Sequence, residues 1–323
     1  MESLKLETNP RVTETNIVIE EKTTAEEEKV KKTKKHYNTK NIISKIIIYI
    51  LLTIFAIFAI LPFYWMIISS VKTETEFRGV PTFFPHEFKW ANYSFAMSAN
   101  NSLFGQTLVN TLFVGVLSTV LSLIVTILTA YAFAKMKFKG KNFIFTLFLA
   151  TMMIPGELYT TTNYITVGKS KMNMTNSYTV LIIPFLVSVY YIYLLRNAFK
   201  QIPDTLYQAA KVDGTSEIGF LIKVMIPLTA PTLISITLLK FIGTWNSYIW
   251  PNLVNDKEWQ LISNWMTGSF TDTEGVLYGI KMSESLSTVK MAAACMLSLP
   301  LFVLFIFFRK YIMHGVSRSG TKG

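Results

Sequence analysis

Six runs of apolar residues constrain this chain more than any other feature of its sequence. They lie at 46–68, 108–133, 143–159, 178–195, 226–253 and 291–308. Each is close to the ~20 residues an α-helix needs to cross a ~30 Å hydrocarbon core. Because lipid offers no hydrogen-bond partners, a crossing segment must satisfy its backbone N–H and C=O groups internally, which predicts helices. With 51% hydrophobic residues and a mean hydropathy of +0.37, the 323-residue chain is more apolar than a soluble domain of its size. The expected fold class is an all-α integral membrane protein with about six transmembrane helices.

A net charge of +11 would suggest nucleic-acid binding in a soluble protein, but its placement here argues against that. Lys29, Lys31, Lys32, Lys34 and Lys35 precede the first run. Lys135, Lys137, Lys139 and Lys141 follow the second, Arg196, Lys200, Lys211 and Lys223 the fourth, and Arg309, Lys310, Arg318 and Lys322 the last. In a six-span topology these four segments share one side, so the positive-inside rule places both termini in the cytoplasm of a multi-pass membrane protein. No nucleic-acid partner is expected. Residues 1–45 carry too little apolar surface to fold alone and are expected to form a disordered cytoplasmic segment. Residues 46–312 form the membrane domain and 313–323 a cytoplasmic tail. The first apolar run lies far from Met1, is long, and has no small-residue cleavage pattern, so it is expected to stay as a helix.

Chemistry-bearing clusters are missing from the sequence. Cys295 stands alone in the last apolar run, where it reads as a small buried residue. His36, His86 and His314 fall in three separate segments, so no metal site is expected. No G-x-x-x-x-G-K-[ST] loop occurs, so ATP, if used, is hydrolysed on a partner. The chain is read as a non-catalytic protein with no cofactor of its own.

The fourth connection carries the most specific pattern, YQAAKVDGTSEIGFLIKVMIPLTAP from Tyr207 to Pro231. Pro203 suits a helix's first turn, and Leu206, Ala209 and Ala210 follow at helical spacing. Asp213-Gly214 should end this helix, because glycine enters the left-handed region without a Cβ penalty. Ser216 is the expected N-cap of a second helix with Ile218, Leu221, Ile222 and Met225 on its apolar face. The paired alanines would let a protein partner approach closely. An amphipathic turn of this kind could instead lie along the membrane interface.

These residues resemble the cytoplasmic loop of binding-protein-dependent ABC importer permeases, E-A-A-x-x-x-G followed by a proline-bearing apolar segment. Here the loop reads Gln208-Ala209-Ala210-Lys211-Val212-Asp213-Gly214, then Ile226-Pro227-Leu228 and Pro231, with Gln208 in place of the usual glutamate. The chain is most similar to the smaller permease subunit of maltose-type and multiple-sugar importers. Trp90-Ala91-Asn92-Tyr93, Asn110-Thr111-Leu112, Ala130-Tyr131-Ala132-Phe133-Ala134, Met153-Ile154-Pro155 and Trp245-Asn246 resemble family pieces in order. The tail, with Gly315, Gly320, Lys322 and Gly323, resembles the family's G-L-x-x-G-x-x-K-G ending, although Val316 and Arg318 depart from it. The resemblance implies a coupling-helix loop between the fourth and fifth spans. It also implies a homologous second permease, two cytoplasmic ATPase subunits holding ATP and Mg, an extracytoplasmic sugar-binding protein, and a di- or oligosaccharide substrate. Leu206, Gln208, Ala209, Ala210, Asp213, Gly214 and Ser216 are the coupling candidates, and the tail glycines and Lys322 are candidate ATPase contacts.

Polar side chains inside the fifth run are the candidate substrate pathway: Lys240, Thr244, Trp245, Asn246 and Tyr248. Aromatic faces and amides suit sugar C–H surfaces and hydroxyls. Helix–helix hydrogen bonding and interfacial anchoring account for the same residues without a substrate, and that is the reading the residue types favour. Two other transport readings stay open here. One is an ABC importer for a non-sugar solute; the other is an ion-coupled transporter, which should carry acids in its spans, where only Glu157 comes near.

Overall fold

The computed structural model describes residues 39–98, 103–168, 170–268, 276–277, 280–281 and 286–317. The chain divides into two units, Met1–Phe63 and Tyr64–Gly323. The described part of the first unit is helical. It belongs to α1 (Thr39–Ser70), which begins inside the stretch 1–45; residues 1–38 lie outside the described residues.

The second unit continues with α2 (Glu74–Arg78), α3 (Ala91–Ser98), α4 (Leu103–Ala134), α5 (Lys141–Thr151) and α6 (Glu157–Val167). Then come α7 (Tyr178–Ile182), α8 (Val189–Lys200), α9 (Asp204–Val212), α10 (Glu217–Leu228) and α11 (Ala230–Trp245). Last are α12 (Ile249–Val254), α13 (Ile262–Gly268), a two-residue antiparallel pair of β1 (Val276–Leu277) and β2 (Ile280–Lys281), and α14 (Leu286–Ser317).

The protein is helical, as expected, but its helices are not six unbroken rods. Among the described residues three helices are long and apolar enough to cross a membrane: α1, α4 and α14. Two bent pairs also qualify, Tyr178–Phe185 with α8 (48°) and α10 with α11 (81°). The expected span 143–159 is divided instead into α5 and α6, separated at Met152–Gly156, because Pro155 has no N–H to donate and Gly156 adds backbone freedom. The span 178–195 breaks around Pro184 and the extended Ser188. The span 226–253 turns at Thr229 between Pro227 and Pro231, then ends at Trp245 and resumes as α12.

Helix α4 is the hub of this unit, packing against α8 and α11. One face of it is polar yet buried, with Asn110, Thr111, Ser118, Thr119, Ser122 and Thr126 turned inward. That placement is expected in lipid, where polar groups face other helices rather than hydrocarbon. At Gly115 an added Cβ would stand 2.9 Å from the Phe241 ring, so the missing side chain sets how closely α4 and α11 approach. At one end of α4, Ala130 and Tyr131 join Ile192, Leu195, Phe199, Phe220, Leu221, Met225 and Ile236 in a single core. At the other end Asn110 donates to the carbonyls of Glu258 and Gln260 and accepts from the Tyr178 hydroxyl at 2.9 Å. Thr111 accepts from the Ile262 N–H at 2.7 Å, so the Asn-Thr pair holds the segment before α13.

Candidate coupling loop and translocation cavity

The two loop helices form where the sequence predicts them. Pro203 sits one residue outside the first helix, at its N-cap, and α9 ends at Val212. Gly214 has φ +71°, and an added Cβ there would meet nothing within 4 Å. The glycine is therefore required by backbone conformation rather than by packing. Ser216 caps α10, its hydroxyl accepting from the Gly219 N–H at 3.1 Å. Within α10 the segment Leu221–Met225 widens to a π-helical turn before the 81° bend at Thr229. That bend sets the start of α10 off the axis of α11.

The inner face of the loop is held by ring packing and by one carboxylate. Tyr207 meets Phe220 edge to face at 5.2 Å, while Tyr207 and Ala210 lie against the core of α4, α8 and α10. The Tyr207 hydroxyl donates to Glu217 Oε1 at 2.6 Å, Lys211 Nζ lies 2.8 Å from the same atom, and the Tyr131 hydroxyl of α4 donates to Glu217 Oε2. Glu217 thus joins α9, α10 and a spanning helix through three donors. Those bonds, from Lys211, Tyr131 and Tyr207 in that order, hold its carboxyl down at about 2, so it is ionised throughout the physiological range. The bond to Glu217 raises Lys211 in turn. A second tie runs from Lys135, below α4, to Asp204 Oδ1 at 2.6 Å and to the Ile202 carbonyl at 2.8 Å. The Lys135 bond lowers the Asp204 carboxyl, which also lies in the first turn of α9, where a negative charge suits the helix dipole.

The outer face of the loop is uncovered and partly apolar. Leu206, Gln208, Ala209, Asp213 and Gly214 are exposed; Val212 is 88% and Ile218 67% exposed. The loop candidates therefore separate into an inward residue, Ala210, and an outward row that any partner would meet first.

Of the candidate pathway residues, the structure brings two together. Lys240 and Thr244 border a cavity of about 370 Å³, with Ser188, Tyr191, Ser247 and Trp250 among the other lining residues. Trp245 does not reach it: the ring is buried among Ala96, Ile262 and Trp265. Asn246 and Tyr248 are exposed and also lie off its lining. Gly315 falls in the last turn of α14, while Gly320, Lys322 and Gly323 lie outside the described residues. Sequence reasoning missed Glu217, Lys135 and the lining residues of α8. An acid after a capping serine reads as a helix-dipole residue, and nothing in sequence shows that Tyr131, 86 positions earlier, meets it.

Residues 126–318 match the family described as binding-protein-dependent transport system inner membrane component, and the match contains the whole loop. The chain belongs to this family. Relatives of this permease include the arabinooligosaccharides transport system permease protein AraQ of Halalkalibacterium halodurans, 30% identical over 83% of this chain and 93% of its own. Another is the polygalacturonan/rhamnogalacturonan transport system permease protein YtcP of Bacillus subtilis, 27% identical over 88% of this chain and all of its own. A solved structure of a bacterial ABC transporter involved in import of the acidic polysaccharide alginate overlays the permease with a TM-score of 0.74. That match has 25% sequence identity and covers 85% of this chain and 99% of the other.

Proposed function

We propose that this permease forms half of the membrane pore of an ATP-driven importer for a carbohydrate, an oligosaccharide in particular. The observation that carries the reading is the anchored loop: its inner face is tied through Glu217 to α4, while Leu206, Gln208, Val212 and Ile218 face outward. A loop tied in this way transmits a push to the helix that bears it, which a surface-lying amphipathic turn does not need to do. The companion pore subunit is a homologous permease, and two cytoplasmic ATPase subunits bind ATP and Mg and close against the loops. An extracytoplasmic binding protein delivers the sugar. Both termini and the loop lie in the cytoplasm, and no bond is made or broken on this chain. Support for a sugar comes from the named substrates of AraQ, YtcP and the alginate importer.

The test is uptake by proteoliposomes containing this chain, its companion permease, both ATPases and the loaded binding protein. Carbohydrate should accumulate only when ATP is present, and the ATPases should co-purify with this chain. Accumulation without ATP under an ion gradient would replace this reading with a secondary transporter.

A further inference from the structure

The cavity beside α11 holds an ammonium that a neutral sugar does not require. Lys240 lies two thirds of the way along α11, inside the fifth apolar run. A charge at such a depth is costly and is tolerated where it faces a polar cavity or a counter-ion. Its Nζ donates to the Phe185 carbonyl at 2.9 Å, a group freed by the break before α8. That uses one of three ammonium donors. Among the described residues no ion pair within 4 Å involves Nζ.

The rest of the wall mixes polar and apolar side chains. Tyr191 contributes a partly buried ring and Ser188, Thr244 and Ser247 contribute hydroxyl-bearing side chains to the wall, which the buried Trp250 ring closes. Its volume of about 370 Å³ falls within the roughly 300–1,000 Å³ typical of small-molecule sites. Hydroxyls alone suffice for neutral sugar hydroxyls, whereas a lone ammonium pairs best with a single negative charge through a charge-assisted hydrogen bond. We propose that this cavity is a subsite for an acidic oligosaccharide, with Lys240 receiving the carboxylate of a uronic acid unit. This rests on the carbohydrate reading above and narrows it.

The test uses the complete importer in proteoliposomes and two matched probes. One is a pool of uronic acid oligosaccharides from plant and algal polysaccharides; the other is the same pool after chemical reduction of its carboxyl groups, which keeps linkage and size. Accumulated species are read by mass spectrometry. The acidic pool should accumulate at least tenfold over its reduced counterpart. Lys240→Gln should cut acidic uptake at least tenfold, and Lys240→Arg should retain most of it, with assembly checked by ATPase co-purification. Equal uptake of both pools by the wild type overturns the acidic subsite and leaves the sugar reading standing. An equal loss of both pools in Lys240→Gln overturns it too, and assigns the ammonium to packing or to an acid of the companion permease. No uptake of either pool by an importer that hydrolyses ATP overturns the acidic subsite, while the carbohydrate reading is tested separately by the ATP-dependent uptake assay above. The comparison of pools in the wild type needs no variant to fold.

Discussion

Replacing Glu217 by alanine removes the acceptor on which Tyr131, Tyr207 and Lys211 converge. Hydrogen bonds to a charged group contribute about 1.5–3 kcal/mol each, and two phenol donors are lost. The Lys211 pair adds little, because its side chains are 42% and 37% exposed and water screens them. Water re-solvates the freed Tyr207 hydroxyl and returns part of the total, leaving a net loss of about 2–4 kcal/mol in the docking of α9 and α10 onto α4. At 1.4 kcal/mol per tenfold, the open fraction of the loop should rise roughly 30- to 700-fold. Hydrogen–deuterium exchange in the assembled importer reads this directly: amides of residues 204–225 should exchange faster by about that factor, while those around Leu195 and Phe199 stay unchanged. Transport per ATP hydrolysed should fall in parallel, and Glu217→Gln, which keeps one acceptor oxygen, should fall between. Glu217 has its carboxyl lowered from 4.5 to about 2, so the tie is complete above 4.5 and is lost as pH falls through about 2. Unchanged exchange at residues 204–225 in Glu217→Ala would refute the claim that this carboxylate anchors the loop.

Gly214→Val should separate ATP hydrolysis from uptake while the protein still reaches the membrane, since φ +71° strains a β-branched residue by at least about 1 kcal/mol. Gly214→Asn should be milder, and full uptake by the valine variant would sink this account of the turn. Gln208→Glu adds a carboxylate to the exposed face, which should strengthen ATPase co-purification by about 0.2–1 kcal/mol if it meets a basic group. That gain should fade as salt rises; weaker binding at every salt concentration would mean a desolvated charge without a partner.

The loop was legible in the sequence because its determinants are local. Gly214 and Ser216 each act within a few residues of themselves, so spacing alone placed the break and the cap. The continuity of the spans was not legible, because hydropathy measures apolar length and is blind to the backbone N–H that Pro155, Pro184, Pro227 and Pro231 lack. Only packing shows whether such a site bends by 48°, bends by 81° or separates into two helices. The Glu217 tie was hidden for a related reason: its partners come from α4 and α9, and Tyr131 stands 86 positions earlier in the chain. Span five showed that polar residues were present, but not which of them share a wall. Helical phase and the break at Asn246 put Lys240 and Thr244 on the cavity and Trp245 in the core.

The central claim is that the outward face of this loop meets the ATPase. It is tested most directly by a single cysteine at Val212, which is 88% exposed, in a Cys295→Ser background. Oxidative crosslinking against cysteines placed along the ATPase groove should give an ATPase adduct that stops uptake, with uptake restored on reduction. No adduct at any groove position, together with labelling of the Val212→Cys thiol by an impermeant reagent added outside intact cells, would contradict both the docking and the topology.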